Sequence, residues 1–300
     1  MILALDHVEK HYGHFSLDAS LAVREGCVTG LIGQNGAGKS TTFKAILGLI
    51  FEDGGRVEIF GKPKKELSLT DREKIGVVLG ESGFNEELTI RQVAGILRGF
   101  YRKFDRERFL SQCRKYQLPQ DRRLKEFSTG MKARLKVVAA TSYGAQLLIL
   151  DEPTAGLDVV ARDAVLDLLR AYMEEDADRS ILISSHISGD LEGLCDDLYM
   201  IHEGKMLLHE DTDVLLGSYG IIKADENQYR QLDKEYLLRA KHTGFGWECL
   251  TAHRDFYMEN YPNLVVEKGT IDGVITLMTG GTDAPCGDAF KAMGPEREEV

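Results

Sequence analysis

Short apolar runs separated by turn residues dominate the first 60 positions, a pattern that predicts β-strands. These runs are ILALDHV, FSLDASLAV, CVTGLIG and RVEIF. The helical pattern within this stretch follows Gly38, in KSTTFKAILGLI. Another apolar strand is expected at Ile75–Leu79.

Helical spacing with many Lys and Arg residues marks the next part of the chain, at Thr89–Tyr101, Arg106–Tyr116 and Gly130–Ser142. Strands return afterwards, at Leu147–Leu150, Ile181–Ser184 and Leu198–Ile201, with a helix from Val159 to about Glu174 between the first two. Strands that alternate with helices imply an α/β fold with a parallel sheet covered on both faces. We therefore predict one domain over residues 1–217, with its core in 1–80 and 145–217 and a helical subdomain inserted at 81–144.

The pattern changes again after Gly217. Residues 218–280 mix strand and helix patterns with many aromatic residues, and a capped helix is expected near Thr270. We interpret this segment as a small α+β appendage that folds. Residues 281–300 contain Gly, Pro and acidic residues, which predicts a loose, flexible tail.

The charge balance narrows the classes of partner. The 300 residues have a formal net charge of −11, which argues against nucleic acid as the main partner, because phosphate binding favours a basic surplus. Five scattered cysteines suggest neither a zinc site nor a disulfide framework. The N-terminus does not resemble a signal peptide, and no stretch approaches the ~20 apolar residues of a membrane span. Any membrane role must therefore involve a partner.

A phosphate-binding loop is predicted at Gly33–Ser40, where GQNGAGKS fits G-x-x-x-x-G-K-[ST] between a strand and a helix. Glycines allow the backbone N–H groups to surround phosphates, and the helix adds its positive end. Lys39 should reach the β- and γ-phosphates, while the Ser40 hydroxyl should bind Mg²⁺. The nucleotide-binding set is predicted to be Gly33, Asn35, Gly36, Ala37, Gly38, Lys39, Ser40 and Thr41. By itself the motif predicts binding of a nucleoside triphosphate.

Two acids follow the apolar run LLIL, at Asp151 and Glu152. A buried strand would bring them to the carboxyl edge of the sheet, beside the phosphate loop. Asp151 can hold Mg²⁺, directly or through water. Glu152 can orient or deprotonate the attacking water.

Four further elements resemble the ABC ATPase family of P-loop NTPases. FSTGMK stands where the family has its signature, with Ser128 at a helix N-cap and Gly130 following. The resemblance implies that Ser128 and Gly130 close on the γ-phosphate of ATP held by a second ATPase subunit. It also implies that Asp158, in AGLD, bridges this dimer, that His186 contacts the γ-phosphate as a catalytic residue beside Lys39 and Glu152, and that Tyr12 stacks on adenine.

The chain departs from the family pattern at two places. The signature has Thr129 for the first glycine and Met131 for glutamine. The glutamine expected after IGVVL is replaced by Gly80-Glu81. A carboxylate at Glu81 could meet Mg²⁺ or water, so we include it among the predicted metal ligands.

The chain is similar to bacterial ABC exporter ATPases, including those for bacitracin, lantibiotics and multiple drugs. This likeness implies ATP hydrolysis that drives export through a polytopic membrane subunit. It also implies a homodimer rather than a heterodimer. The dimer is expected in the cytoplasm, at the inner face of the membrane. The family forms the groove for the membrane subunit near Glu81–Phe84 and Phe100–Tyr101. Simple core packing explains these aromatics equally well.

Two other functions compete with transport. A soluble ABC ATPase that acts on nucleic acid or ribosomes would usually carry two cassettes, coiled coils or zinc modules. A P-loop kinase would explain Lys39 and Asp151, but not the combined set of Ser128, Asp158 and His186. An adjacent reading frame that encodes a polytopic membrane protein would favour the transporter over the soluble ABC ATPase.

Overall fold

A computed structural model describes residues 1–80 and 83–280, which form two sheets and eleven α-helices. The larger sheet has ten strands in the order β5-β4-β1-β2-β10-β9-β3-β8-β7-β6. They are β1 (Leu3–Tyr12), β2 (Phe15–Val23), β3 (Val28–Ile32), β4 (Gly54–Ile59), β5 (Lys62–Pro63), β6 (Ile75–Val78), β7 (Leu147–Asp151), β8 (Ser180–Ser185), β9 (Asp197–His202) and β10 (Lys205–Asp211).

The larger sheet is mixed, so the prediction of a parallel sheet is correct for only part of it. β9, β3, β8, β7 and β6 pair in parallel. β1 pairs antiparallel with β2 and β4, and β10 pairs antiparallel with β9. For the β1–β2 pair the reason is the short connection between Tyr12 and Phe15, since a parallel pair needs a crossover of a dozen or more residues.

Eight helices accompany this sheet: α1 (Lys39–Ile46), α2 (Leu69–Arg72), α3 (Ile90–Phe100), α4 (Arg106–Lys115), α5 (Thr129–Thr141), α6 (Val159–Glu174), α7 (Ser188–Glu192) and α8 (Thr212–Ser218). The predicted helix over Thr89–Tyr101 begins one residue later, because the Thr89 side chain accepts from the Gln92 N–H as a cap. Among the described residues, no helix is both long and apolar enough to span a membrane.

Successive residues of the central strands feed two different cores. Leu147, Ile149 and Leu182 pack with Phe43 and other residues of α1 on one face of the sheet. On the other face a second core contains Leu148, Leu150, Ile181 and Ile183 together with residues of α3 to α6. Successive side chains of a strand point to opposite faces of the sheet, and both faces are covered here. The strands therefore appear in the sequence as continuous apolar runs.

The segment after α8 forms a four-stranded antiparallel sheet in the order β12-β13-β11-β14. Its elements are β11 (Gly220–Ala224), α9 (Glu226–Gln231), β12 (Leu237–Thr243), β13 (Gly246–Thr251), α10 (Arg254–Asn260), β14 (Val265–Lys268) and α11 (Ile271–Gly280). Val274 and Leu277 of α11 join the core that contains α3 to α6. The boundary predicted after Gly217 falls within the last turn of α8 and stays a prediction, and the tail predicted at 281–300 lies outside the described residues.

Candidate nucleotide site

The loop between β3 and α1 surrounds an open depression. Gly36 and Gly38 have φ angles of 83° and 119°, a region that glycine adopts without strain. A Cβ on Gly33 would lie 2.4 Å from the carbonyl oxygen of Ile201, so a side chain there would collide with β9. The depression has a volume of about 270 Å³. It is lined by Phe15, Gln34, Asn35, Gly36, Gly38, Lys39, Ser40, Thr41 and Glu152.

Lys39 is buried at the base of this loop. Its Nζ donates to the carbonyl oxygen of Gly33 at 2.6 Å and to that of Gln34 at 3.3 Å. It also lies 3.1 Å from Oε1 of Glu152. A buried ammonium held by carbonyls and one carboxylate is a strong site for a polyanion, which can replace these partners with phosphate oxygens.

The two acids at the end of β7 contact different partners. Asp151 is buried, and its Oδ1 accepts from Ser184 Oγ at 2.7 Å. Glu152 has a φ of 51°, so the chain turns sharply after the strand. Its Oε2 lies 2.6 Å from Nδ1 of His186. The structure therefore brings Lys39, Glu152 and His186 into one cluster.

Ser40 and Asp151 offer the oxygen donors that a hard divalent cation prefers. Ser40 lines the depression at the exposed start of α1. Asp151 has its Oδ2 in addition to the Oδ1 that Ser184 occupies. These residues fit Mg²⁺ chemically. The third predicted ligand, Glu81, lies outside the described residues.

The signature residues line a separate surface of the chain. Ser128 caps α5 by accepting from the Met131 N–H at 3.2 Å, and Asp158 caps α6 by accepting from the Ala161 N–H at 2.8 Å. A Cβ on Gly130 would lie 2.7 Å from the Cβ of Ala161, so glycine permits the close approach of α5 to α6. These residues line an open depression of about 830 Å³ that the phosphate loop does not share.

Tyr12 stands directly opposite Phe15 in the β1–β2 pair and is 45% exposed. Phe15 lines the phosphate-loop depression, whereas Tyr12 does not. Sequence reasoning missed Phe15, although its alternation within FSLDASLAV was available as a signal. It also missed Ser184, whose hydroxyl accepts from the Glu152 N–H at 3.0 Å.

A third depression, of about 420 Å³, includes Asp151 and Glu152 in its lining. Gly83, Phe84, Lys132 and Lys136 contribute to its walls. Burial, with a smaller effect from Lys132, lowers the pKa of Lys136. Of the three aromatics predicted for the groove, Phe84 lines this depression, Tyr101 stacks on Tyr143 with ring centroids 3.7 Å apart, and Phe100 is 74% exposed.

The sequence of this chain is similar to those of known ATP-binding proteins. The family described as "ABC transporter" matches residues 17–155. The ABC transporter ATP-binding protein YtrB of Bacillus subtilis is 33% identical over 67% of this chain and 68% of its own length. The Nod factor export ATP-binding protein I of Burkholderia orbicola is 32% identical over 81% of this chain and 83% of its own. The bacitracin transport ATP-binding protein BcrA of Bacillus licheniformis is 36% identical over 69% and 68%.

The fold of this chain also resembles those of solved ABC transporter subunits. The ATP-binding subunit of an ABC transporter superposes with a TM-score of 0.63 and 27% identity, covering 72% of this chain and 92% of that one. The structure of cbiO1 from Clostridium perfringens, part of the ABC transporter complex cbiONQ, gives a TM-score of 0.60 and 25% identity, covering 71% of this chain and 89% of that one. The chain belongs to the ABC transporter family, as one of its ATP-binding proteins.

Proposed function

We propose that Glu152, Lys39 and His186 carry out ATP hydrolysis at the phosphate loop. The observation that supports this assignment is their convergence, with both carboxylate oxygens of Glu152 engaged, one by Lys39 at 3.1 Å and one by His186 at 2.6 Å. Phosphates that enter the depression would attract Lys39 away from Glu152, because several anionic oxygens would replace one carboxylate. Glu152 would then be free to accept a proton.

The reaction follows from these positions. The oxygen of a water attacks the γ-phosphorus, and the bond from the γ-phosphorus to the bridging oxygen of ADP breaks. A proton of the water passes to Glu152. The products are ADP and inorganic phosphate. Lys39 stabilises the charge on the β- and γ-phosphates, and His186 holds Glu152 in place and contacts the γ-phosphate.

Ser40 and Asp151 would hold Mg²⁺ that enters with ATP, which supplies charge neutralisation for the phosphates. Ser184 orients Asp151 for this role, since its hydroxyl occupies Oδ1. The role of Glu81 as a further ligand stays a prediction. The nucleotide contacts of Tyr12 and of the loop residues from Gly33 to Thr41 are part of the same proposal.

The ATPase would drive export through a separate membrane-spanning subunit. The Nod factor and bacitracin relatives carry export and transport in their names, which favours this role over a soluble ABC ATPase. Exposed Phe100 and half-exposed Ile96 on α3 offer an apolar surface for that subunit. The chain would then work at the cytoplasmic face of the membrane as a dimer of ATPase subunits. We expect a homodimer rather than a heterodimer.

A single substitution, Glu152→Gln, tests the hydrolytic role. The amide keeps the size of the side chain but cannot accept the proton, so hydrolysis should fall at least ~100-fold, the lower end for a general base. Nucleotide affinity should survive, because Lys39 and Ser40 remain. Turnover is measured by phosphate release from the full complex with its membrane subunit.

Glu174→Gln is the matched control, because it makes the same change at an exposed carboxylate near the end of α6. Parental turnover in Glu152→Gln would show that Glu152 is not the base. Absence of ATP hydrolysis in the parental complex would instead overturn the proposed function itself.

A further inference from the structure

Asp190 is a buried carboxylate that the reaction scheme does not use. It lies on α7, four residues after His186, and its side chain is 1% exposed. A carboxylate so far from water needs partners, because burial of an uncompensated charge is costly. Its partners come from three different segments of the chain.

Each partner lies next to a residue of the proposed site. Thr154 Oγ1, two residues after Glu152, donates to Asp190 Oδ2 at 2.5 Å. Ser185 Oγ, one residue before His186, donates to the same oxygen at 3.4 Å. Arg162 Nε, in the first turns of the helix that Asp158 caps, lies 3.3 Å from Asp190 Oδ1.

The backbone links these contacts closely to the catalytic side chains. Thr154 is itself 1% exposed, and the Ala155 N–H donates to the Glu152 carbonyl oxygen within the same turn. Ser185 Oγ also accepts from the Ile187 N–H at 2.9 Å. This hydrogen bond joins the residues on either side of His186. A displacement of Asp190 would therefore move the turns that carry Glu152 and His186.

We propose that Asp190 is a positioning residue for ATP hydrolysis. It holds the turn after Glu152 and the turn around His186 at a fixed separation, so that the carboxylate and the imidazole remain in contact. This inference rests on the proposed hydrolytic function. Because neither Asp190 nor its partners line the phosphate-loop depression, their loss should reduce turnover and leave ATP affinity unchanged.

Thr154→Val and Thr154→Ser form the decisive pair. Valine keeps the shape but removes the hydroxyl, whereas serine keeps the hydroxyl and removes a methyl group. We expect kcat for ATP to fall about tenfold or more in Thr154→Val, since a misplacement of 1 Å can cost ~100-fold, and to stay near the parental value in Thr154→Ser. KM for ATP, fluorescent-nucleotide affinity and melting temperature are measured alongside.

Asp190→Asn extends the test, because the amide oxygen can still accept from Thr154 while the charge that faces Arg162 is lost. We expect an intermediate fall in kcat with unchanged KM. Glu192→Gln also replaces a carboxylate by an amide, at an exposed position of α7. This variant is the control and should match the parent. If Asp190→Asn does not fold, the Thr154 pair alone decides.

Three results would overturn the inference. They are a parental kcat in Thr154→Val, an equal loss of kcat in Thr154→Val and Thr154→Ser, or a loss of ATP affinity that matches the loss of turnover. A parental complex without ATPase activity would contradict the proposed function and would be recognised before any variant is compared.

Discussion

At the scale of single residues, we predict that the charge on Lys39 is the main determinant of phosphate binding. Its ammonium is buried and engaged by Gly33, Gln34 and Glu152, so it is fixed in place before ATP arrives. Preorganisation of this kind reduces the entropy that binding must otherwise overcome.

Lys39→Ala should lower ATP affinity at least about tenfold, because a hydrogen bond to a charged group contributes ~1.5–3 kcal/mol. Fluorescent-nucleotide titration measures the change. Lys44→Ala is the control, since Lys44 lies on the same helix and outside the depression. Equal affinities for the two variants would refute the assignment of the phosphate loop.

Tyr12 and Phe15 are directly opposite each other in the β1–β2 pair, and we predict that one of them stacks on the adenine ring. Tyr12→Ala should weaken ATP by about 1–3 kcal/mol, the value of a base–aromatic stack, and Tyr12→Phe should retain affinity. Inorganic triphosphate, which has no base, should bind the variants equally. A loss for ATP in Phe15→Ala alone would transfer the stacking role to Phe15.

At the scale of elements, α11 connects the second sheet to the main core. Thr270 caps this helix by accepting from the Gly273 N–H at 3.1 Å, as the sequence predicted. Val274 and Leu277 are buried in the core that also contains Leu191 of α7. The last described helix therefore packs beside the short helix that carries Asp190.

Leu277→Ala should destabilise the protein by about 2–5 kcal/mol, because it leaves a cavity in a core that is otherwise filled. Denaturant unfolding measures the free energy. Thr276→Ala, at the exposed neighbouring position, should stay within about 0.5 kcal/mol of the parent. Equal stabilities for the two variants would show that α11 does not pack on the core in solution.

At the scale of the whole molecule, the phosphate loop and the signature residues lie on separate surfaces. One chain places Lys39 in one depression and Ser128 in the other. Val159 and Val160 beside Ser128 are 66% and 79% exposed. An exposed apolar pair beside two helix caps suits contact with a second subunit better than contact with water.

The Glu152→Gln variant should therefore form dimers when ATP and Mg²⁺ are both present, because ATP that is not hydrolysed links the two subunits. Addition of Ser128→Arg should abolish these dimers and leave ATP bound at Lys39. Ser111→Arg, at an exposed position of α4, is the matched control. Light scattering of the full complex and the isolated chain measures the mass, and ATP-dependent dimers that survive Ser128→Arg would exclude this interface.

The sequence alone located several features that a contiguous stretch of chain encodes. The phosphate loop, the Ser128 cap and the acidic end of β7 could be located because strand, turn and helix signals lie within a few residues of the motif. The helices at residues 90–141 were placed within about one residue for the same reason, since their caps are local.

The tertiary structure decided everything that depends on distant segments. The contacts of Glu152 with Lys39 and His186 join the ends of β7 and β8 to the start of α1, and the order of the strands in the sheet follows from packing rather than from spacing. Three other features also depend on residues far apart in the sequence: the pairing of β1 with β4, the entry of Phe15 into the depression and the partners of Asp190. A linear pattern specifies which face of an element is buried, but only the assembled cores determine which elements meet.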